Sequence, residues 1–378
     1  MPDTKHPTIS RRALLRAAGQ GLVTVAALPA LLERALAADA PTPKKLGYAV
    51  VGLGSFALNQ ILPSFAASKG SKVVALVSGH RDKAEWAAGR FGVDLKNIYN
   101  YQNYDKLKDN PDVDVIYVIL PNGLHAEYVV RGAKAGKHIF CEKPIANTVA
   151  EAEQMIAACK EARRKLMIGY RCQYEPNNLA ASALARSGEL GPTQSLIIDH
   201  GFNIGPNQWR LNKKLAGGGS LVDIGIYSLQ AARYLTGEEP VEVSAQLSSP
   251  PNDPRFKEVE ATVHFLLRFP GGALANCTSS YSYVSQSHIR VVGSKGWLEL
   301  EPATAYDGIR LRVSHNYAPP EDRTVPEINQ FAAERDHFSQ CILNNKEPKT
   351  PGEEGLRDMK LMAAIYEAAR TGKTVKVG

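Results

Sequence analysis

The sequence predicts an α/β protein whose first domain is a parallel sheet wrapped by helices. Three observations carry that prediction. Strands and helices alternate from Leu46 onward, a glycine-rich turn follows the first strand, and the chain is long enough for a second domain. The chain has 378 residues. Setting aside a leader at residues 1–37 leaves about 340, more than one hydrophobic core usually serves.

The leader is read from three features. Ser10-Arg11-Arg12-Ala13-Leu14-Leu15-Arg16 is a twin-arginine pattern, a moderately apolar run extends from Ala17 to Leu32, and Ala35-Leu36-Ala37 offers a small-x-small cleavage site. An amphipathic capping helix would be interrupted by Gly19, Gly21 and Pro29, and the run is short for a membrane span. We therefore expect export by the twin-arginine machinery, cleavage after Ala37 and a periplasmic destination. That route carries folded proteins, so it suits a chain that collects a cofactor before export. Residues 38–45 are a short arm.

Charge and cysteine usage narrow the partners. The net charge is +7, and the leader holds five Lys/Arg and two Asp/Glu, so the mature chain keeps 7 − (5 − 2) = +4. No Lys/Arg block or aromatic-basic interleaving occurs, which argues against nucleic acid. No second long apolar run exists, so the mature form is expected to have no membrane partner. The five cysteines (Cys141, Cys159, Cys172, Cys277, Cys341) are scattered and odd in number, which argues against a disulfide scaffold or a structural zinc. We expect buried thiols and no metal.

The first domain is expected over 46–170. Its strands are read at 46–51, 73–78, 114–120, 138–141 and 166–170, with helical stretches between them as a parallel sheet requires. Thr148 and Glu151 form a capping-box pair, and Ala152, Met155, Ile156 and Cys159 recur at helical spacing behind it. In Gly52-Leu53-Gly54-Ser55-Phe56-Ala57, Gly52 permits the tight turn, Gly54 lets backbone approach a pyrophosphate, and Ala57 allows close helix–strand packing. The pattern alone is common by chance; its place after the first strand gives it weight.

The end of the second strand selects the cofactor. An NAD site usually has Asp or Glu there, whereas this chain reads Ser78-Gly79-His80-Arg81-Asp82-Lys83. Ser78 can donate to a 2′-phosphate, and Arg81 or Lys83 can balance its charge, so NADP is expected. An ordinary polar turn with solvated cations is the alternative. Pro121-Asn122-Gly123-Leu124-His125 follows the third strand at its carboxyl end. Asn122 can bond a ribose or cap the next helix, and His125 reads as a supporting histidine.

Lys143, in Cys141-Glu142-Lys143-Pro144, projects from the fourth strand toward the same place. Pro144 biases the backbone before it away from helix. Such an ammonium could hydrogen-bond a sugar hydroxyl and lower the pKa of a neighbouring tyrosine. Gly217-Gly218-Gly219-Ser220 then precedes Leu221-Val222-Asp223-Ile224-Gly225-Ile226-Tyr227. A helix starting near Leu221 sets Asp223 and Tyr227 on one face, and the glycines are expected to let a ligand approach. Trp209 and Arg210 are placed at the nicotinamide end or the sugar.

These motifs resemble the Gfo/Idh/MocA oxidoreductase family, and within it the glucose–fructose oxidoreductase branch. The resemblance runs from about Gly47 to near the C-terminus and includes GLGSFALNQILPSF, LPNGLHAEY, CEKPIANT, QWRLNKKLAGGGSLVDIGIYSL and PGEEGLRDMKLMAAIYEAARTGKTV. Tyr227 stands where the family often has histidine and matches that branch, as do the spacing of Ser78 and Lys83 and the leader. The branch's long proline-rich arm has no counterpart here beyond Ala38 to Lys45. The resemblance implies a Rossmann domain at 46–170 and, at 171–378, an α/β domain with a large open, mostly antiparallel sheet. It also implies a homo-oligomer, dimer or tetramer, and tightly bound NADP(H). Strands at 194–199, 241–247, 261–268, 273–280, 288–292 and 297–300 are compatible with that sheet.

The catalytic set is Lys143, Tyr227 and Asp223. To the cofactor pocket we assign Gly52, Gly54, Ser55, Phe56, Ala57, Ser78, Gly79, His80, Lys83, Tyr101, Leu120, Pro121, Asn122, His125, Glu142, Lys143, Arg171, Trp209 and Arg210. The expected activity is oxidation of a cyclic aldose at C1 to its lactone, with Tyr227 taking the hydroxyl proton. A second sugar, ketose or aldose, then takes the hydride back and leaves as an alditol. Two readings stand beside it: an NADP-dependent sugar dehydrogenase that exchanges its cofactor, and a non-catalytic sugar-sensing cofactor binder.

Overall fold

Leu46–Val51 (β1) buries all six of its residues, as a strand covered on both faces must. It sits inside a six-stranded sheet with Ser71–Val77 (β2), Ile98–Tyr99 (β3), Val115–Val118 (β4), His138–Glu142 (β5) and Leu166–Gly169 (β6). The order is β3-β2-β1-β4-β5-β6 and every pairing is parallel. This is the doubly wound order, with its switch point between β1 and β4. The computed structural model describes residues 44–378; the twin-arginine motif and the cleavage site lie outside the described residues.

The five expected strands are present, with no edge moved by more than two residues. Ile98–Tyr99 was not expected, because two residues at a sheet edge carry no readable period. The helix Val149–Glu161 has its capping box: Thr148 Oγ1 accepts from Glu151 N at 3.2 Å, and Glu151 Oε2 accepts from Thr148 N at 3.0 Å. Ala152, Met155 and Cys159 are buried beneath it. All five cysteines are free and buried.

The second sheet has nine strands, in the order β14-β13-β12-β11-β7-β10-β9-β8-β15. In chain order they are Thr193–Asn203 (β7), Glu242–Ser248 (β8), Thr262–Arg268 (β9), Leu274–Ser280 (β10), Ser282–Gly293 (β11), Gly296–Leu300 (β12), Leu311–His315 (β13), Glu321–Asp322 (β14) and Val375–Lys376 (β15). Only the β7–β10 pairing is parallel. The six expected strands are all there; β13, β14 and β15 were not read from the sequence. The helix Ile226–Thr236 packs against β7 and β10, so the residues just before it lie between the two sheets.

The chain's end returns to the first sheet. Phe331 and Phe338, on the helix Gln330–Leu343, share a core with Tyr48 and Phe140; the Phe140 and Phe338 rings are 5.8 Å apart. Arg233, 4 % exposed, bonds Asp358 at 2.7 Å and Glu354 at 2.8 Å on the helix Gly352–Thr371. A buried guanidinium needs such partners, because desolvation would otherwise cost several kcal/mol, about as much as a whole domain's net stability. The ion pair therefore fixes the helix Ile226–Thr236 to the C-terminal helix.

Candidate active site

The site lies where the carboxyl ends of β1, β4 and β5 meet the segment 213–227. Three hydrogen bonds cross between them: Asn122 Nδ2 to the Ala216 carbonyl at 2.8 Å, Asn147 Nδ2 to the Lys214 carbonyl at 2.9 Å, and Lys143 Nζ to the Asp223 carbonyl at 2.5 Å. Asn122 thus ties two loops together; its side chain does not cap the helical turn that follows it.

The glycine turn fits a dinucleotide. Gly52 has φ +94°, and a Cβ there would lie 2.4 Å from the Ile119 carbonyl oxygen, so only glycine fits. A Cβ on Gly54 would meet nothing within 4 Å. Gly54 and Ser55 are exposed at the start of a helical stretch, and Ala57 is fully buried beneath it. Open space in front of a helix's first amides suits phosphate oxygens. At the far end, Ser78 is buried and its Oγ accepts from His80 N at 3.1 Å, which leaves the hydroxyl hydrogen free to donate. Tyr101 lies against Gly79, with ring carbon Cε2 3.1 Å from where a Cβ would be. Arg81 is engaged by Glu85 at 2.7 Å on the surface.

Lys143, Asp223 and Tyr227 converge. The Lys143 ammonium lies 3.5 Å from Asp223 Oδ1 and 4.7 Å from the centre of the Tyr227 ring. Asp223 Oδ2 also forms an ion pair with Arg210, whose Nε lies 3.0 Å away, and accepts from the Tyr281 hydroxyl at 2.9 Å. Burial alone would raise the Asp223 carboxyl, but Arg210 and Lys143 more than offset it and hold it below its ordinary value. Burial pulls Lys143 below its ordinary value, with Asp223 working against that. Asp223 sits in a π-helical turn, Leu221–Gly225, and Tyr227 in the α-helix after it; such turns recur at functional sites.

Several sequence expectations change. The Tyr227 hydroxyl accepts from Arg171 Nε at 3.2 Å, and Lys143 instead lies against the ring. Burial pushes the Tyr227 phenol up to about 12, and Arg171 is the largest opposing charge. Arg171, assigned above to the cofactor, gives its other nitrogens to Gln330 Oε1 at 2.7 Å and to the carbonyls of Thr304 at 2.6 Å and Ala305 at 3.2 Å. Each guanidinium nitrogen is thus engaged within the protein, with one N–H of Nη2 unassigned. His125 is fully buried, with Nδ1 2.9 Å from the Pro144 carbonyl and Nε2 2.8 Å from the Leu120 carbonyl, so it stands between two loops.

The glycine triplet also departs from expectation. A Cβ on Gly217 would lie 2.6 Å from Asn147 Oδ1, on Gly218 2.1 Å from the Tyr366 hydroxyl, and on Gly219 2.0 Å from the Glu260 carbonyl oxygen. Protein, not ligand, makes the close approach. Of the remaining assignments, Glu142 accepts from the Tyr117 hydroxyl at 2.5 Å, and burial raises its carboxyl. Arg210 stacks on Trp209 at 4.6 Å. Leu120 faces Gly52, with Cδ2 2.9 Å from a Cβ position there.

Sequence reasoning missed Tyr281, Tyr306 and His200. The rings of Tyr306 and Tyr227 both lie near the Arg171 guanidinium, with centroids at 4.8 and 5.1 Å. The His200 ring lies 6.1 Å from that of Tyr227 and bonds Ser228 Oγ at 2.8 Å. No local motif marks these three; each arrives on the second sheet or its loops.

Residues 46–170 match the model of an oxidoreductase family with an NAD-binding Rossmann fold, and residues 178–299 match the GFO/IDH/MocA C-terminal domain. The crystal structure of an aldose-aldose oxidoreductase from Caulobacter crescentus, complexed with glycerol, is 53% identical with a TM-score of 0.86, covering 88% of this chain and all of that one. A D-xylose 1-dehydrogenase (NADP+) of Haloarcula marismortui is 33% identical over 89% of this chain and 94% of its own length. A 3-ketoreductase from Actinomadura kijaniata, in complex with NADP and TDP-benzene, is 26% identical with a TM-score of 0.77, covering 86% of this chain and 98% of that one.

Burial holds His200 near 3, against an ordinary value of 6.5. On acidification the unfolded chain takes up this proton first, so stability falls from pH 6.5 down toward 3. Between pH 7 and 4 the loss is about 3 kcal/mol from this residue. His200→Gln should flatten the acid limb by that amount, read from denaturant unfolding at a series of pH values.

Proposed function

The chain belongs to the Gfo/Idh/MocA oxidoreductase family, and from that premise we propose that it is an NADP(H)-dependent oxidoreductase acting on the CH–OH of sugars. The finer reading is a two-sugar cycle: a cyclic aldose is oxidised at C1 to its lactone, and a second sugar is reduced to an alditol on the same bound cofactor. One observation carries it. Lys143, Asp223, Tyr227 and Arg171 surround one point in front of the carboxyl ends of the parallel strands. The Caulobacter relative acts between two aldoses, which supports the cycle, while the Haloarcula relative is a dehydrogenase, which supports the version that releases its cofactor. Retained nucleotide in the purified protein separates the two.

When bound, the nicotinamide accepts a hydride from the sugar carbon. The chain's own residues manage the proton. Tyr227 takes it from the C1 hydroxyl during oxidation and returns one during reduction. A phenol held near 12 is almost wholly protonated at neutral pH, so to take a proton it must first become phenolate, which needs donors at its oxygen; Arg171 Nε at 3.2 Å is already in place. Asp223, kept ionised by Arg210 and Lys143, accepts from a sugar hydroxyl and orients it. The open space at Gly54 and the free donor on Ser78 are the features that receive phosphates. The leader and the absence of disulfides among the described residues are in keeping with folding and cofactor loading before export.

Three outcomes test this. Tyr227→Phe removes one hydroxyl and keeps the ring, so both half-reactions should slow by roughly two to four orders of magnitude. Reduction of bound NADP by an aldose, followed by reoxidation with a second sugar, measures the halves separately; parent rates in either would remove Tyr227 as the base. Ser78→Asp should weaken NADP relative to NAD, because a carboxylate would face the 2′-phosphate, and cofactor titration of both proteins reads this directly. Replacing Arg11 and Arg12 by lysine should leave folded, cofactor-loaded protein in the cytoplasm, and cell fractionation showing normal export would overturn the leader reading.

A further inference from the structure

The π-helical turn that carries Asp223 lacks a cap of its own. Ser220 stands at its N-terminus without a side-chain capping bond, and its hydroxyl donates instead to the Ser279 carbonyl at 3.2 Å. The cap comes from elsewhere. Glu260, just before β9, accepts at Oε1 from Leu221 N at 3.0 Å, from Gly219 N at 3.0 Å and from the Tyr366 hydroxyl at 3.1 Å. Its carbonyl oxygen accepts from Ser220 N at 3.4 Å. Glu260 is largely buried and forms no ion pair with any described residue, so these donors are what stabilise its charge.

We propose that Glu260 is a positioning residue for the reaction, clamping the start of the segment that holds Asp223 and Tyr227. The inference rests on the proton-transfer reading above. A local serine cap would satisfy the helix end equally well, at about 1 kcal/mol. A carboxylate delivered across 39 residues does something a local cap cannot: it fixes where the helix begins relative to the second sheet. The next residue extends the clamp. The Ala261 carbonyl accepts from Tyr281 N at 2.8 Å, and the Tyr281 hydroxyl donates to Asp223 Oδ2 at 2.9 Å. Residues 260 and 261 therefore reach Asp223 from two sides, through the helix start and through Tyr281. Tyr366 brings in the C-terminal helix as a third element, and it needs Gly218 bare to do so. The triplet 217–219 is then explained without a ligand, since each glycine makes room for one part of the clamp or for Asn147.

The experiment uses purified holoenzyme and measures single-turnover reduction of bound NADP by saturating aldose, expressed per bound nicotinamide. Glu260→Gln keeps the size of the side chain but removes its charge and sets an NH2 where Oε2 now accepts from Gly219 N at 3.0 Å, so the clamp loses an acceptor and gains a donor facing a donor. It should lower that rate by about 10- to 100-fold, the scale of a misplacement near 1 Å, with cofactor content unchanged. Tyr366→Phe removes one donor and should act in the same direction by a smaller factor. Parent rates per bound nicotinamide in both variants, with losses confined to the melting temperature, would reduce Glu260 to a structural cap and overturn the proposal. If Glu260→Gln fails to hold cofactor, Tyr366→Phe decides alone, with a slowed rate supporting the clamp and a parent rate overturning it. Tyr227→Phe runs beside them: a parent rate there overturns the functional reading, whereas a slowed Tyr227→Phe with parent-like clamp variants overturns the clamp only.

Discussion

Asp223 carries a negative charge into the seam between the two sheets, where Arg210 at 3.0 Å and Lys143 at 3.5 Å keep it ionised against the pull of burial. The rest of the site follows from satisfying that charge. Lys143 must leave the end of β5 and turn toward the helix start, which sets its ammonium against the face of Tyr227. Arg210 must fold back over Trp209, and Tyr281 must present its hydroxyl from just beyond β10. Removing one member of such a buried set leaves the others unpaired, and that typically costs several kcal/mol.

Arg171 is the second organising cation. It is 6 % exposed, and its nitrogens go to Tyr227, Gln330 and two carbonyls of the loop at Thr304 and Ala305. The loop therefore arrives at the site as part of the guanidinium's hydrogen-bonding set, with the Tyr306 ring 4.8 Å from it. A guanidinium cannot lose its proton in this setting, so it can stabilise a developing phenolate without exchanging protons with it. Lys143, by contrast, is pulled below its ordinary value by burial, with Asp223 working against that.

The two sheets are held in register by the chain's return. Phe331 and Phe338 fill the core beneath β1 and β5, and Arg233 pins the helix after Tyr227 to Glu354 and Asp358. Both anchors lie far in sequence from the nucleotide-binding half, so the site's geometry depends on the last fifty or so residues as much as on the glycine turn.

Much of this was legible in the sequence. The strand–helix alternation, the glycine turn, the capping box at Thr148 and Glu151, and Lys143 at a strand's end are local patterns, set by periods of 2 and 3.6 and by turn sterics. They determined the fold class and pointed to Lys143, Asp223 and Tyr227, which the structure brings together. The short strands β3, β14 and β15 were not legible, because two residues carry no period. The partners of the trio were not legible either. Tyr227 meets Arg171 across 56 residues, Asp223 meets Tyr281 across 58, and Glu260 caps Leu221 across 39. The glycines 217–219 read as room for a ligand until the residues that fill that room were seen. Short-range sterics are written along the chain; which charge ends beside which phenol is decided only when two sheets close on each other and every buried polar group must find a partner.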